Sequence, residues 1–349
     1  MTRPRIGLAC NLATLTRCLT DAVRTRVEAL GEFVIATFDE PSSWDEPPPP
    51  NSQVEKNFIE LARELDLVML SHGAPRLTGA IFDAAPRLRF VGELEGDRFA
   101  RRIDVTAAAE RGVKVVDTTH GSSYPVSEWA LAMMLIGLRN AGSLFRRMIA
   151  GEIITQESKR ADPGFLRGEL TGKRVGLIAC GHIGRRLLEL LKPFRCTVLV
   201  HDPHAPRVLA DIFDLSLTTL DGVMSGSDVV VCLAPLTHET RGMIGARELS
   251  LLRPGAVFVN VSRGAIVNTE ALIARLRRGD IVACLDVFDP EPVPANSPVR
   301  TMENVFLTPH IAGVTADCGP RFVDLMVDEM RRFLDGHETR HDLRPRMPT

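Results

Sequence analysis

Short runs rich in Val, Ile, Leu and Phe recur along the chain, with little polar alternation inside them. They fall at residues 6–9, 33–36, 67–70, 89–92 and 113–116, and again at 175–179, 198–201, 229–234, 257–261, 282–287 and 305–308. Strands covered on both faces of a parallel sheet read this way, whereas half-solvated antiparallel strands alternate. Segments with helical apolar spacing lie between the runs, so the pattern predicts right-handed βαβ units and an α/β fold. The first series stops near Val116. A long helical stretch follows from Val126 toward Ile149, then a polar loop at 155–168, and a fresh series starts at Lys173. The last segment, 320–334, places Phe322, Leu325, Met326, Met330, Phe333 and Leu334 on one helical stripe. It comes after the second sheet is complete, so it is expected to return to the first domain. The expected domains are 1–119 with 316–349, discontinuous in sequence, and 120–315.

Composition narrows the classes. The chain has 349 residues, 45% hydrophobic and 25% charged, which suits two globular domains. A formal net charge of −2 and 5% aromatics argue against a nucleic-acid partner, which would ask for a basic footprint and stacking platforms. Arg3 and Arg5 precede an apolar stretch, but Asn11, Thr14, Thr16 and Arg17 interrupt it too early for an export signal. No apolar run is long enough to span a bilayer, so no membrane partner is expected. Seven cysteines without a C-x-x-C pair are expected to be reduced thiols of a cytoplasmic protein, and no metal site is expected. Residues 41–50 are proline-rich and read as a loop.

The run 175–178 leads directly into Ala179-Cys-Gly181-His182-Ile183-Gly184 and a helix. Gly181 and Gly184 match the last two glycines of G-x-G-x-x-G. One lets the backbone approach a pyrophosphate, the other lets helix and strand pack closely, and the helix N-terminus supplies N–H donors. Ala179 replaces the first glycine, and alanine is expected to make this turn with φ below zero. Asp202 ends the next strand about 20 residues on, where a carboxylate accepts bonds from the adenosine ribose and repels a 2′-phosphate. The expected cofactor is therefore NAD, on a Rossmann-like second domain. The first domain is expected to be Rossmann-like or flavodoxin-like and to bind the substrate.

Three later strand ends carry an Arg, a Glu and a His. Residues 257–261 lead to Ser262-Arg263-Gly264, 282–287 to Phe288-Asp-Pro-Glu291-Pro292, and 305–308 to Pro309-His310. Carboxyl ends of strands are where open α/β sheets bind ligands. Together these residues offer a cation for a carboxylate, a proton shuttle and a group that tunes it. In this context the chain resembles the D-isomer-specific 2-hydroxyacid dehydrogenase family. The resemblance lies in Asn260-Val-Ser-Arg-Gly-Ala-Ile-Val267, Asp286-Val-Phe-Asp-Pro-Glu-Pro292, Leu307-Thr-Pro-His-Ile-Ala-Gly313, Pro235-Leu-Thr-His-Glu-Thr240 and Gly168-Glu-Leu-Thr-Gly-Lys173.

The resemblance implies a reversible hydride transfer between NAD and a small 2-hydroxy or 2-oxo acid of the D series. It implies His310 as general acid/base, Glu291 as its partner raising its pKa, and Arg263 as the fork that holds the substrate carboxylate. Asp286 would contact the nicotinamide carboxamide, with Ala312 and Gly313 near the ring. His182 and Ile183 would offer backbone N–H to the pyrophosphate, Ala234 and Pro235 would line the adenine side, and Val261 would complete the cofactor contacts. Formate dehydrogenases of the same fold pair the histidine with glutamine, and Glu291 departs from that. The resemblance also implies a homodimer built around 126–149. A dinucleotide-sensing corepressor on the same fold is the competing reading, since fold alone does not decide function. In the first domain the resemblance implies a substrate-binding loop, placed here at 92–104, with Gly96 at the close approach and Leu94 and Glu95 flanking it. His72, after its own strand, is a further substrate candidate. Arg98, Arg101 and Arg102 pose two readings: a second anion site, or local pairing with Glu93, Glu95, Asp97 and Asp104. Pairing is the expected one, since exposed charge runs are usually solvated faces.

Overall fold

The computed structural model describes residues 3–39, 52–95, 102–161 and 168–344. The chain divides into two compact units, Met1–Ser122 with Thr315–Thr349, and Ser123–Val314.

The first unit holds five parallel strands, β1 (Arg5–Cys10), β2 (Glu32–Thr37), β3 (Leu67–Leu70), β4 (Phe90–Glu93) and β5 (Lys114–Asp117). Their order is β2-β1-β3-β4-β5, the flavodoxin-like winding. β3 and β4 are buried throughout, as their unbroken apolar runs require. The helix Cys318–Leu334 returns to this unit. Its Phe322, Val323, Met326, Val327 and Met330 share one core with Ile6, Leu8, Phe90 and Val116. The hydroxyl of Thr118 donates to the Phe322 carbonyl at 3.0 Å and ties the helix to the end of β5.

The second unit holds seven parallel strands, β6 (Arg174–Ile178), β7 (Thr197–His201), β8 (Leu215–Leu217), β9 (Val229–Cys232), β10 (Val257–Asn260), β11 (Val282–Leu285) and β12 (Val305–Leu307). The order β12-β11-β10-β9-β6-β7-β8 is the Rossmann winding with one strand added. The order reverses between β6 and β9, so the crevice beyond their carboxyl ends is where this fold takes a ligand.

Two elements depart from expectation. β8 has no counterpart in the apolar pattern, because this three-residue edge strand buries only Leu215. The stretch expected as one helix from Val126 to Ile149 is two, Ser123–Leu138 and Ala141–Ile149. Asn140 stands between them at φ +45, a left-handed conformation that asparagine tolerates better than most residues. Among the described residues no helix is long and apolar enough to cross a membrane. All seven cysteines are free thiols, six of them buried.

Candidate active site

The turn after β6 begins with a correction. Ala179 sits at φ +71, not below zero. The loop geometry wins over the residue's preference because Ala179 N–H donates to the His201 carbonyl at 2.8 Å and Cys180 N–H to the Asp202 carboxylate at 2.9 Å. A left-handed alanine costs about 1–2 kcal/mol. Part of that returns on substitution by glycine, offset by the entropy glycine gains when unfolded. Ala179→Gly is therefore expected to stabilise the protein by about 0.5–1 kcal/mol. An unchanged or lower urea midpoint for the transition of this unit would contradict the strain argument.

Gly181 precedes the helix His182–Leu191 and contributes no side-chain cap, which leaves the first turn to receive an anion. A Cβ on Gly184 would come to 3.3 Å from the Ala179 carbonyl and from Cys180 Sγ, so this glycine permits the close helix–strand approach. Asp202 is half-buried, and each carboxylate oxygen takes one backbone N–H, from Cys180 and from His204, both at 2.9 Å. It both braces the phosphate loop and opens the turn at Pro203. Each oxygen keeps acceptor capacity for a ribose hydroxyl. These groups fit a dinucleotide: N–H donors for phosphate, a carboxylate for ribose, and a close backbone approach between them.

Across the switch point, Ala234 and Val261 are buried and Pro235 is half-buried. The Ser262 hydroxyl donates to the Ala234 carbonyl. Thr240 Oγ1 donates to the Pro235 carbonyl at 2.6 Å and accepts Thr237 N–H at 2.7 Å, which closes the loop 235–240 on itself.

β10, β11 and β12 are neighbours, and each delivers one chemical group at its carboxyl end. After β10, the buried Asn260 clamps the turn: its amide donates to the Arg263 carbonyl at 3.1 Å, and its oxygen accepts Ser262 N–H at 3.1 Å. The Arg263 guanidinium donates to the Ser262 carbonyl at 2.8 Å. A Cβ on Gly264 would stand 1.9 Å from the Phe288 carbonyl, so only glycine lets the turn bearing Arg263 lie against the loop bearing Glu291. After β11, that loop is held by the Thr269 hydroxyl donating to the Asp289 carbonyl at 2.7 Å. After β12, His310 adopts φ +53.

His310 Nδ1 and Glu291 Oε1 are 2.6 Å apart, with both side chains about one-third exposed. Burial pushes the Glu291 carboxyl upward. The hydrogen bond from His310, the His310 charge, the Phe288 N–H and the Arg263 charge outweigh it and hold the group below its usual range. Glu291 is therefore an ionised acceptor that orients the ring and leaves Nε2 as its working nitrogen.

Asp286 is fully buried. Its Oδ1 accepts the Thr308 hydroxyl at 2.5 Å and Ile311 N–H at 3.0 Å, and its Oδ2 accepts Ala312 N–H at 2.9 Å. Most of its acceptor capacity thus serves its own chain rather than the outward contact implied by resemblance. Ala312 is buried and Gly313 half-buried beside it. Thr308, Asn260 and Ser262 escaped the sequence reading. All three lie within the motifs quoted above and at strand ends, but no role was assigned to them.

In the first unit, three sequence candidates are structural. Leu94 is buried in the core and its N–H is spent on the Leu70 carbonyl at 2.9 Å. Glu95 is buried and paired with Arg17. Glu93 and Arg102 form a buried pair at 2.7 Å, and Asp104 caps the helix Val105–Glu110 by accepting Ala107 N–H at 2.9 Å. Local pairing accounts for Arg102. Gly96, Asp97, Arg98 and Arg101, like the proline-rich 41–50, lie outside the described residues. His72 follows β3, and burial, with the charges of Arg102 and Arg17, pushes its imidazole down to about 4, so it is neutral at physiological pH.

Comparison with known proteins matches residues 131–312 to the D-isomer specific 2-hydroxyacid dehydrogenase, NAD binding domain. The chain is 35% identical over 324 residues to a mitochondrial formate dehydrogenase of Hordeum vulgare, covering 90% of this chain and 80% of the relative. It is 32% identical over 289 residues to a glyoxylate reductase of Thermococcus gammatolerans, covering 80% and 83%. It is 28% identical over 318 residues to a D-3-phosphoglycerate dehydrogenase of Methanocaldococcus jannaschii, covering 90% of this chain but spanning only 56% of that longer protein. In fold it is similar to a phosphoglycerate oxidoreductase from Rhizobium etli, with TM-score 0.81, 23% identity and coverage of 99% and 98%. With two parallel doubly wound units, a dinucleotide turn and a family match over about half its length, the chain belongs to the D-isomer specific 2-hydroxyacid dehydrogenases, NAD-dependent oxidoreductases.

Proposed function

We propose that this enzyme reduces a small 2-oxo acid to the D-2-hydroxy acid, reversibly, with His310 as the proton donor. The carrying observation is the 2.6 Å contact between His310 Nδ1 and Glu291 Oε1, which joins the ends of the neighbouring strands β12 and β11, with β10 and Arg263 on the other side of β11. Bound NADH supplies the hydride. His310, oriented by Glu291, gives its Nε2 proton to the carbonyl oxygen as that oxygen gains charge. Arg263 binds the substrate carboxylate through two parallel N–H donors and places its positive charge near the developing alkoxide. Gly181 to Gly184 would hold the pyrophosphate, Asp202 the ribose and Ala234 and Pro235 the adenine side, with Val261 a further cofactor contact and Ala312 and Gly313 near the nicotinamide.

A specific relative favours formate oxidation as a second reading. Glu291 speaks against it, because formate dehydrogenases of this fold pair the histidine with glutamine, and the partner of His310 here is a carboxylate. NADH consumption against glyoxylate, hydroxypyruvate, pyruvate, oxaloacetate and bulkier 2-oxo acids, with NAD reduction by formate in parallel, decides between them. Turnover of formate alone refutes the reductase reading. Tight NADH binding with no turnover of any acid favours a sensor.

We further propose a cytoplasmic homodimer. The helix Ala141–Ile149 docks one face on its own unit, where Arg146 donates to the Met302 carbonyl at 2.7 Å. Its other face leaves Phe145, Met148 and Ile149 exposed at 66%, 65% and 74%, with Ile153 just beyond. An apolar patch of this kind marks an interface. Ile149→Glu with Met148→Glu is expected to shift the protein from dimer to monomer in light scattering. A wild-type monomer at micromolar concentration would rule out this interface.

A further inference from the structure

We propose that Asp286, Thr308 and Trp129 form a positioning network that holds the His310 loop, an inference that rests on the function proposed above. His310 is followed by two residues whose N–H groups, Ile311 and Ala312, both point at the Asp286 carboxylate, at 3.0 and 2.9 Å. Successive N–H groups around a left-handed residue form a concave anion seat, and here the anion is the enzyme's own side chain. His310 N–H adds a bond to the Asp286 carbonyl at 2.8 Å. The aspartate thus grips the loop at the histidine through its main-chain carbonyl and at the two residues after it through its side chain.

Asp286 is in turn fixed from behind. The buried Thr308 hydroxyl donates to its Oδ1 at 2.5 Å and accepts the indole N–H of Trp129 at 3.4 Å. Trp129 lies on the helix Ser123–Leu138, whose apolar face packs against the sheet core with Val257, Val259 and Cys284. The network therefore runs from that helix to β12 and the His310 loop within one unit. A left-handed backbone at a β-substituted residue persists only where its surroundings over-determine it. Without these bonds the loop is free to relax, and the imidazole leaves the line that Glu291 and the substrate oxygen require. Misplacement on the order of 1 Å lowers rates by about a hundredfold.

The test is Thr308→Val, which keeps shape and removes the hydroxyl, with Thr308→Ser as the conservative rescue and Trp129→Phe as a milder cut. The substrate is the 2-oxo acid that the wild type turns over fastest. Thr308→Val is expected to lower kcat roughly ten- to a hundredfold with KM for NADH within about threefold, and Thr308→Ser to restore kcat. Amide exchange in a peptide covering 308–314 should quicken about tenfold in Thr308→Val and less in Trp129→Phe. Wild-type kcat and wild-type exchange in Thr308→Val overturn the proposal. So does a raised KM for NADH at unchanged kcat, which would make Asp286 a cofactor contact only. If Thr308→Val does not fold, exchange in Trp129→Phe decides, and an unaltered rate there overturns it. If the wild type turns over no acid, the functional reading fails and the exchange data alone judge the network.

Discussion

Replacing His310 with asparagine is expected to lower kcat for 2-oxo acid reduction by about 10²–10⁴-fold, the range that a positioned acid/base supplies. Asparagine is the substitution of choice because position 310 stands at φ +53, a conformation that asparagine adopts more readily than alanine. The loop and the three N–H bonds to Asp286 then survive, and the loss reports the proton rather than the fold. NADH affinity, followed by fluorescence titration, should stay within about threefold, because the N–H bonds that hold Ala312 in place survive and the phosphate and ribose contacts proposed above belong to other loops. A variant that retains more than a tenth of wild-type kcat would remove His310 from the chemistry. Glu291 sets the acid side of the same experiment. Its carboxyl is held below the usual range by the His310 hydrogen bond and charge, the Phe288 N–H and the Arg263 charge against the pull of burial, so the stability that the ionised carboxyl contributes is fully present above the ordinary carboxylate range. It is lost only as pH falls through the depressed value. The stability that this pair contributes disappears in that acid window in the wild type, and His310→Asn should show less of that acid dependence.

The architecture was legible because parallel strands buried on both faces cannot hide: β3, β9, β10 and β11 are apolar runs in sequence and buried throughout in the fold. β8 was not, since Leu-Ser-Leu with one buried residue carries too little signal for an edge strand. The histidine, its carboxylate and the arginine were legible because strand ends at one sheet edge converge by topology. What surrounds them was not. Asp286 finds its partners in backbone N–H groups of residues 311 and 312, and backbone donors leave no mark on side-chain identity. Trp129 meets Thr308 across 179 positions of sequence. Ala179 shows the converse error, where a residue preference was read as a rule while two hydrogen bonds over-determined the turn. Leu94 and Glu95 were expected to flank Gly96 in a substrate loop; Leu94 lies in the core and Glu95 pairs with Arg17.

Arg263→Lys separates shape from charge at the carboxylate site, and kcat/KM for the 2-oxo acid is expected to fall by about 10²–10³-fold. Lysine keeps one positive charge near Glu291, so the electrostatic support of the Glu291–His310 pair is largely retained. What disappears is the planar fork, which the Ser262 carbonyl holds at 2.8 Å in wild type and which a flexible ammonium cannot reproduce. The loss should divide between a higher KM for the acid and a lower kcat, because in the role proposed above the same guanidinium holds the carboxylate in the ground state and faces the oxygen in the transition state. Arg263→Gln removes the charge as well, and Glu291 then rises toward its ordinary range. The acid limb of its pH–rate profile should accordingly move to higher pH, while Arg263→Lys leaves that limb in place. If lysine performs as well as arginine, the carboxylate is not held by a bidentate contact, and the substrate must be anchored by other donors.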